Sequence, residues 1–486
     1  MKKFNKNIGI AFKIKSSLDK TYHSLVDTNI YKMNTYLNIQ NNVKAKNVID
    51  NIVYLNEYYK GIPYYKNIIP NISKIKLPYT SLESDIDIDF SLLEYIKYTK
   101  NIVPILLWPS IASKTFFDNK KSKPFLDYLN KNGEIIIKKF IKITKKQAES
   151  FVFQIYSNIN HFKIYSNLLE SLKRKDFKRN EDNTIIVIYW IPKKNNTDYF
   201  GNSNSNKQDL RKLLIDQYNI NETIHICNSE LQTIELSQLI FNKNSLEFMK
   251  YQRMDILIGK YRKFAKSIIL INLFKKILYN NYQLIDINRF LAFSSIVLFA
   301  LGLRNMNDID SFFYHYPDFI SSHTKLLKSK IDSFISENLG GPARQAIEFT
   351  CKGYGNWDFK NYKEYPHKWF EETLPKLYQA NTYQNVIFNP RFHFYFLGIK
   401  CVLYKGDFAR RSARNRPASI ADLIAINRMT LLNVKIPPLP TKIWVNHKEV
   451  NIDQSEKDNI IRKVKKYLEY RYSIFIDNKE IQNILS

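Results

Sequence analysis

Cysteine is scarce in this 486-residue chain: Cys227, Cys351 and Cys401 stand far apart, form no C-x-x-C pair, and have no clustered histidines to complement them. That excludes a disulfide scaffold and argues against a structural zinc site, which needs four such ligands at short spacing. A reduced, intracellular or cytoplasmic setting is the expectation. Long apolar runs are missing too. The most apolar stretch, 290–303, is interrupted by Ser294 and Ser295 and falls short of the roughly 20 residues that cross a bilayer. It reads as a buried helix, and no membrane span is expected. The basic first residues, Met1 to Lys6, are followed by neither an apolar core nor a small-residue cleavage site, so they do not read as a signal peptide. No Ser-His-Asp order emerges from the eight scattered histidines.

Acidic residues are the other shortage. Asp and Glu number 45 against 74 Lys and Arg, a formal charge of +29, and the pI is near 9.6. Solubility asks for far less. A polyanionic partner, either nucleic acid or a nucleoside triphosphate, is the natural reading. Part of the lysine excess is what an AT-rich genome would write, given the equally heavy use of Asn, Ile and Tyr.

What is present is ample core material, 44% hydrophobic, on a chain long enough for several domains. We expect a multidomain α/β protein. Residues 1–95, rich in Asn, Lys and Tyr, read as an N-terminal extension or small irregular domain. Residues 96–250 alternate β-branched runs with helical spacing. The strands are expected at Ile102 to Trp108, Glu134 to Ile143, Thr184 to Ile191 and Thr223 to Ile226. The helices are expected at Phe125 to Asn130, Lys145 to Tyr156 and Asp209 to Tyr218. A long helix from Ser245 to Tyr282 then opens a mixed α/β domain over 251–435. The remainder, 436–486, is a Pro-rich linker followed by a basic amphipathic helix carrying Ile460, Val464, Tyr467 and Leu468.

Within the third region, Gly302, Arg304, Asp308 and Asp310 fall in one short segment, Phe299 to Phe313. Strand residues two apart face the same way, so Asp308 and Asp310 can share one or two magnesium ions. The segment resembles the signature of the polymerase-β-type nucleotidyltransferase superfamily, in which a Gly-Ser or Gly-Gly turn precedes a strand bearing D-x-D or D-x-E. Here Leu303 occupies the second turn position, and the interval from Gly302 to Asp308 is shorter than the family's. More loosely, the composition and this arrangement resemble proteins of giant DNA viruses, which would place the chain in a viral factory or virion.

The resemblance implies a nucleotidyltransferase-like fold and, where activity is retained, magnesium-dependent transfer of a nucleotide to an acceptor hydroxyl. Asp308 and Asp310 would be the catalytic and metal residues, with Gly302 and Arg304 at the phosphates. It also implies a third carboxylate from a later strand, for which Glu348, Asp358 and Asp407 all stand open. The alternatives are a catalytically inactive nucleic-acid-binding or virion-associated structural protein, or a nucleotide-sugar enzyme. A second triplet set, Asp85, Asp87 and Asp89, has no glycine turn before it.

Four arginines in seven residues, Arg410, Arg411, Arg414 and Arg416, depart from the lysine-rich background. On a helix, Asp407, Arg410, Arg411 and Arg414 share a face. That face either grips phosphate, for which the arginine fork is suited, or forms an Asp-paired structural helix. Basic runs at Lys138, Lys139, Lys142, Lys145 and Lys146, and from Lys173 to Arg179, are interleaved with Phe140 and Phe177. Such runs suit single-strand binding. The Gly201 to Gln208 loop lacks the residues of a phosphate loop and reads as a polar connection. His225 reads as a core residue, and His315 follows the D-x-D strand.

Overall fold

The computed structural model describes residues 77–99, 101–112, 119–156, 183–193, 205–218, 224–227, 229–259, 290–306, 309–313, 374–414, 416–439, 441–445 and 448–486. It also describes the short strands at 347–351, 355–357 and 362–363 and a few single positions. Two compact units emerge. The first contains the chain up to Lys250 and takes back Ile271–Arg289 and Phe388–Lys400; the second holds Tyr251–Leu270, Phe290–Ile387 and Cys401–Ser486.

The first unit begins with β1 (Tyr79–Ser81), α1 (Ile86–Tyr98) and β2 (Val103–Leu107). There follow α2 (Asn119–Asn132), β3 (Gly133–Ile143), α3 (Lys145–Tyr156) and β4 (Asn183–Pro192). Then come α4 (Ser205–Tyr218), β5 (Ile224–Ile226), α5 (Glu230–Ile240) and α6 (Lys243–Phe248). Its sheet has the order β1-β3-β4-β2-β5. β4 is antiparallel to both β3 and β2, β5 is antiparallel to β2, and β1 joins β3 in parallel. Val103, Ile105 and Leu107 pack with Ile186, Ile188 and Trp190 and with Phe125 and Leu129 of α2. The strands and helices expected for 96–250 lie where these elements form, but the expected boundary at 95 cuts through α1. Asp85 caps α1 by accepting from the amides of Asp87 and Ile88, and β1 pairs with β3. Both elements therefore belong to the first unit.

The second unit opens with α7 (Met254–Gly259), β6 (Phe290–Phe293), α8 (Ser295–Ala300) and β7 (Ile309–Phe313), then β8 (Ile347–Cys351), β9 (Gly355–Trp357) and β10 (Tyr362–Lys363). The chain returns to the first unit for β11 (His393–Phe396) and leaves it along β12 (Ile399–Val402). The second unit ends with α9 (Tyr404–Arg414), α10 (Pro417–Met429), the β13 (Lys442–Val445) and β14 (Lys448–Asn451) hairpin, α11 (Gln454–Tyr467) and α12 (Asn478–Leu485). Its strands run β10-β9-β8-β7-β6-β12 in space. The tail expected as a linker and lone helix is therefore part of this unit, with Ile460, Ile461, Val464 and Leu468 buried.

Two expected helices divide. The stretch from Ser245 is interrupted between α6 and α7. There Gln252 Nε2 donates to the Ala300 carbonyl at 2.7 Å and the Arg253 amide to that of Leu301 at 2.9 Å. The chain leaves the helix to satisfy carbonyls that α8 leaves open at its end. The apolar run 290–303 is a strand, a tight turn at Ser294 and a helix, not one helix. β6 is buried between β7 and β12, and a strand covered on every side is as uniformly apolar as a buried helix. Together the units make a multidomain α/β protein, and among the described residues no helix is long and apolar enough to cross a membrane.

Candidate active site at one end of the second sheet

β6 and β7 run antiparallel with Phe293 opposite Asp310, so the end of β6 meets the start of β7. β8 runs parallel to β7 with Glu348 in register with Asp310. β12 runs parallel to β6, with Cys401 beside Ala292, and delivers α9 to the same end. Neighbouring strands are about 4.8 Å apart. Ser294, Asp310 and Glu348 thus occupy successive strands at one end of the sheet. Asp310 is half-buried. Asp308, Asp358 and His315 lie outside the described residues, as does the Glu348 side chain. Among the described residues no group of three His, Cys, Asp or Glu is placed to hold a metal ion.

Ser294 has φ 69° and ψ −114°, a region that costs a serine about 1–3 kcal/mol and persists only where its surroundings enforce it. Here they do. Its amide donates to Asp407 Oδ1 at 3.2 Å and its carbonyl accepts from Arg411 Nη2 at 2.8 Å. Both partners are buried on α9. Asp407 also accepts from Arg410 Nη2 and from Arg411 Nε, each at 2.8 Å. Arg411 reaches on to Asp422 of α10, which also accepts from the Tyr472 hydroxyl. Arg471 and Arg304 approach Asp422 at 3.4 and 3.7 Å.

Burial alone would raise the Asp407 pKa, but Arg411 and Arg410 hold it below the usual carboxylate range. Burial opposes the charge of Arg411 as well, yet Asp407 and Asp422 overcome it and raise its pKa. Burial and then Asp422 push the Tyr472 phenol up.

Of the arginine face expected from spacing, Arg410 and Arg411 are described, and both point inward. Arg410 and Arg411 are committed to aspartates, with the Arg410 guanidinium 5.2 Å from the Phe293 ring. They shape the turn beside Asp310. Arg416 is exposed at the N-cap of α10, and the Arg414 side chain lies outside the described residues. Arg304 is largely buried. Gly302, at φ 78°, ends α8: its amide donates to the Phe299 carbonyl and that of Leu303 to Leu298, the left-handed closure that glycine favours. Of the three open carboxylates, Asp407 is consumed by two arginines, while Glu348 stands in register with Asp310.

Spacing alone did not bring Ser294 to this end of the sheet. The signal available was a polar pair breaking an apolar run, 14 positions before Asp308.

Other polar clusters have structural explanations. Asp87 takes a bidentate bond from Arg391 at 2.9 and 3.0 Å, and Asp89 takes Lys139 at 2.6 Å. Burial pushes Asp89 up to about 6 against the pull of Lys139. Lys139, fully buried, thus drops out of the basic run on β3. His225 is buried edge-on to Tyr156. Cys227 and Cys401 are buried and form no disulfide. Compared with family models, curated proteins and solved structures, the chain matches none.

Proposed function

We propose that the second unit is a divergent nucleotidyltransferase of the polymerase-β type, acting on a nucleic acid or nucleotide acceptor. The observation that carries this reading is the register of Asp310 with Glu348 on adjacent parallel strands, next to the strained Ser294 turn. It supplies the two things the resemblance requires beyond Asp308-x-Asp310: a further carboxylate from a later strand and a tight turn at the facing strand end. The Ser294-Ser295 pair fits the family's small-residue turn better than Gly302-Leu303, whose glycine ends a helix.

An all-carboxylate donor set suits a hard divalent cation such as magnesium. Asp308, Asp310 and Glu348 would hold it, and when bound it would offset charge on the triphosphate and the leaving pyrophosphate. The acceptor hydroxyl attacks the α-phosphorus, a new P–O bond forms, the bond to pyrophosphate breaks, and a carboxylate of this set takes the hydroxyl proton. The buried arginines take no part in gripping phosphate. Arg411 and Asp407 hold the Ser294 backbone, and hence the end of β6, against Asp310.

Calorimetric titration of nucleoside triphosphate with and without magnesium tests the reading before any acceptor is known. Binding that requires magnesium and is lost in Asp310→Asn supports it. Binding that ignores both counts against it.

A further inference from the structure

Two aromatic side chains stand almost wholly in solvent at the far end of α11: Tyr470 is 86% and Phe475 77% exposed. The inward face of this helix is fixed by Ile460, Ile461, Val464 and Leu468. Arg462, Lys463 and Lys466 are exposed on the other side, and Tyr470 follows Lys466 at the four-residue spacing that keeps side chains on one face. Over Leu468–Tyr472 the helix widens into a π turn and closes at Ser473, which is left-handed at φ 56°. The amides of Ser473 and Ile474 donate back to the carbonyls of Glu469 and Leu468. Phe475 emerges directly beyond that closure. Beside it, the Arg471 guanidinium already stacks 4.6 Å from the Tyr467 ring. Between 459 and 476 there are five basic residues and one acidic residue, Glu469.

We propose that this face binds single-stranded nucleic acid, with bases stacked on Tyr470 and Phe475 and phosphates held by Arg462, Lys463 and Lys466. Exposed aromatic rings interleaved with cations suit a ligand that has flat apolar faces and a charged backbone at once, and only an unpaired strand offers both. A duplex keeps its base faces stacked inside. An apolar protein surface would leave three cations to be desolvated without partners. The face would give the acceptor strand of the proposed transferase a place to bind. Only that assignment, not the binding, rests on the proposed chemistry.

The test titrates the full chain into fluorescein-labelled oligo(U) and oligo(dT) of about 12 nucleotides, with a duplex of equal length as control. Tyr470→Ala combined with Phe475→Ala is expected to weaken single-strand binding at least about tenfold with unchanged thermal unfolding, since each stacked base contributes about that factor. Tyr470→Trp should keep the affinity and report binding by quenched indole fluorescence. Combined Arg462→Ala, Lys463→Ala and Lys466→Ala should flatten the salt dependence by about two units of slope. Asp310→Asn should leave all of this intact while removing transfer, so a failure of the chemistry shows separately. Wild-type affinity in the double alanine variant overturns the assignment. So does a wild-type self-association that Tyr470→Ala abolishes while oligonucleotide binding persists, since that would give the face to a second copy of the chain.

Discussion

Arg411 shows how a residue that reads as a ligand-binding side chain can be spent inside the protein. Its guanidinium meets Asp407, Asp422 and the Ser294 carbonyl. Removing it leaves two buried carboxylates without their strongest partner. Breaking a buried pair from one side costs about 3–5 kcal/mol, so Arg411→Leu should lower the urea midpoint strongly while the folded fraction keeps its affinity for nucleic acid. A variant of normal stability with lost phosphate binding would reverse that assignment. Ser294 offers the opposite test. Its φ of 69° suits glycine, and Ser294→Gly should stabilise the protein by about 1 kcal/mol while Ser294→Val destabilises it by more. Thermal unfolding of the two variants reads the sign directly.

At the scale of elements, much was legible where composition and position agree. β3 and β4 are dense in isoleucine and valine and lie at the centre of a sheet, and α3 carries Ala148, Phe151 and Val152 on its buried side. Periodicity failed where one signal serves two structures. The run 290–303 is apolar whether it forms a buried strand or a buried helix. The 407–411 spacing defines a face without saying whether that face turns to solvent or to a neighbouring helix. Asp407, one turn before the two arginines on that face, pairs with both, and Asp422, the second carboxylate partner of Arg411, is invisible to local spacing. Glu348 could be named but not chosen, because strand register is a long-range property.

His393 of β11 makes stability depend on pH. His393 is buried, and burial, with Lys400 and Lys97 nearby, holds its pKa well below the ordinary 6.5. Glu94 pairs with Lys97 at 2.8 Å, and the raised phenol of Tyr395 stays neutral beside them. The unfolded chain therefore takes a proton near pH 6.5 that the folded chain refuses. The contribution is fully present above that pH. It is lost as the pH falls below it, by up to about 1.4 kcal/mol per pH unit. Urea midpoints of wild type and His393→Gln between pH 7.5 and 5 check this: the variant should lose part of the acid-side slope.

For the whole molecule, a formal charge of +29 overstates what is available to a polyanion. Lys97, Lys139, Arg410 and Arg411 are buried, and Glu94, Asp89 and Asp407 pair with them. The basic residues left in solvent include Arg416, Arg462, Lys463, Lys466 and Lys479, so the second unit carries solvent-exposed cations. Binding to single strands should accordingly weaken steeply between about 50 and 200 mM salt. An affinity indifferent to salt over that range would remove the nucleic-acid partner from the account.

As proposed, Asp308, Asp310 and Glu348 act as one catalytic set. Incorporation of labelled nucleotide onto RNA and DNA acceptors, with magnesium or manganese, measures it most directly in wild type, Asp308→Asn, Asp310→Asn and Glu348→Gln. Wild type should incorporate nucleotide in a metal-dependent way, and each variant should fall by about a hundredfold or more with oligonucleotide binding and thermal unfolding preserved. Wild type inactive on every acceptor, or Glu348→Gln as active as wild type, would contradict it.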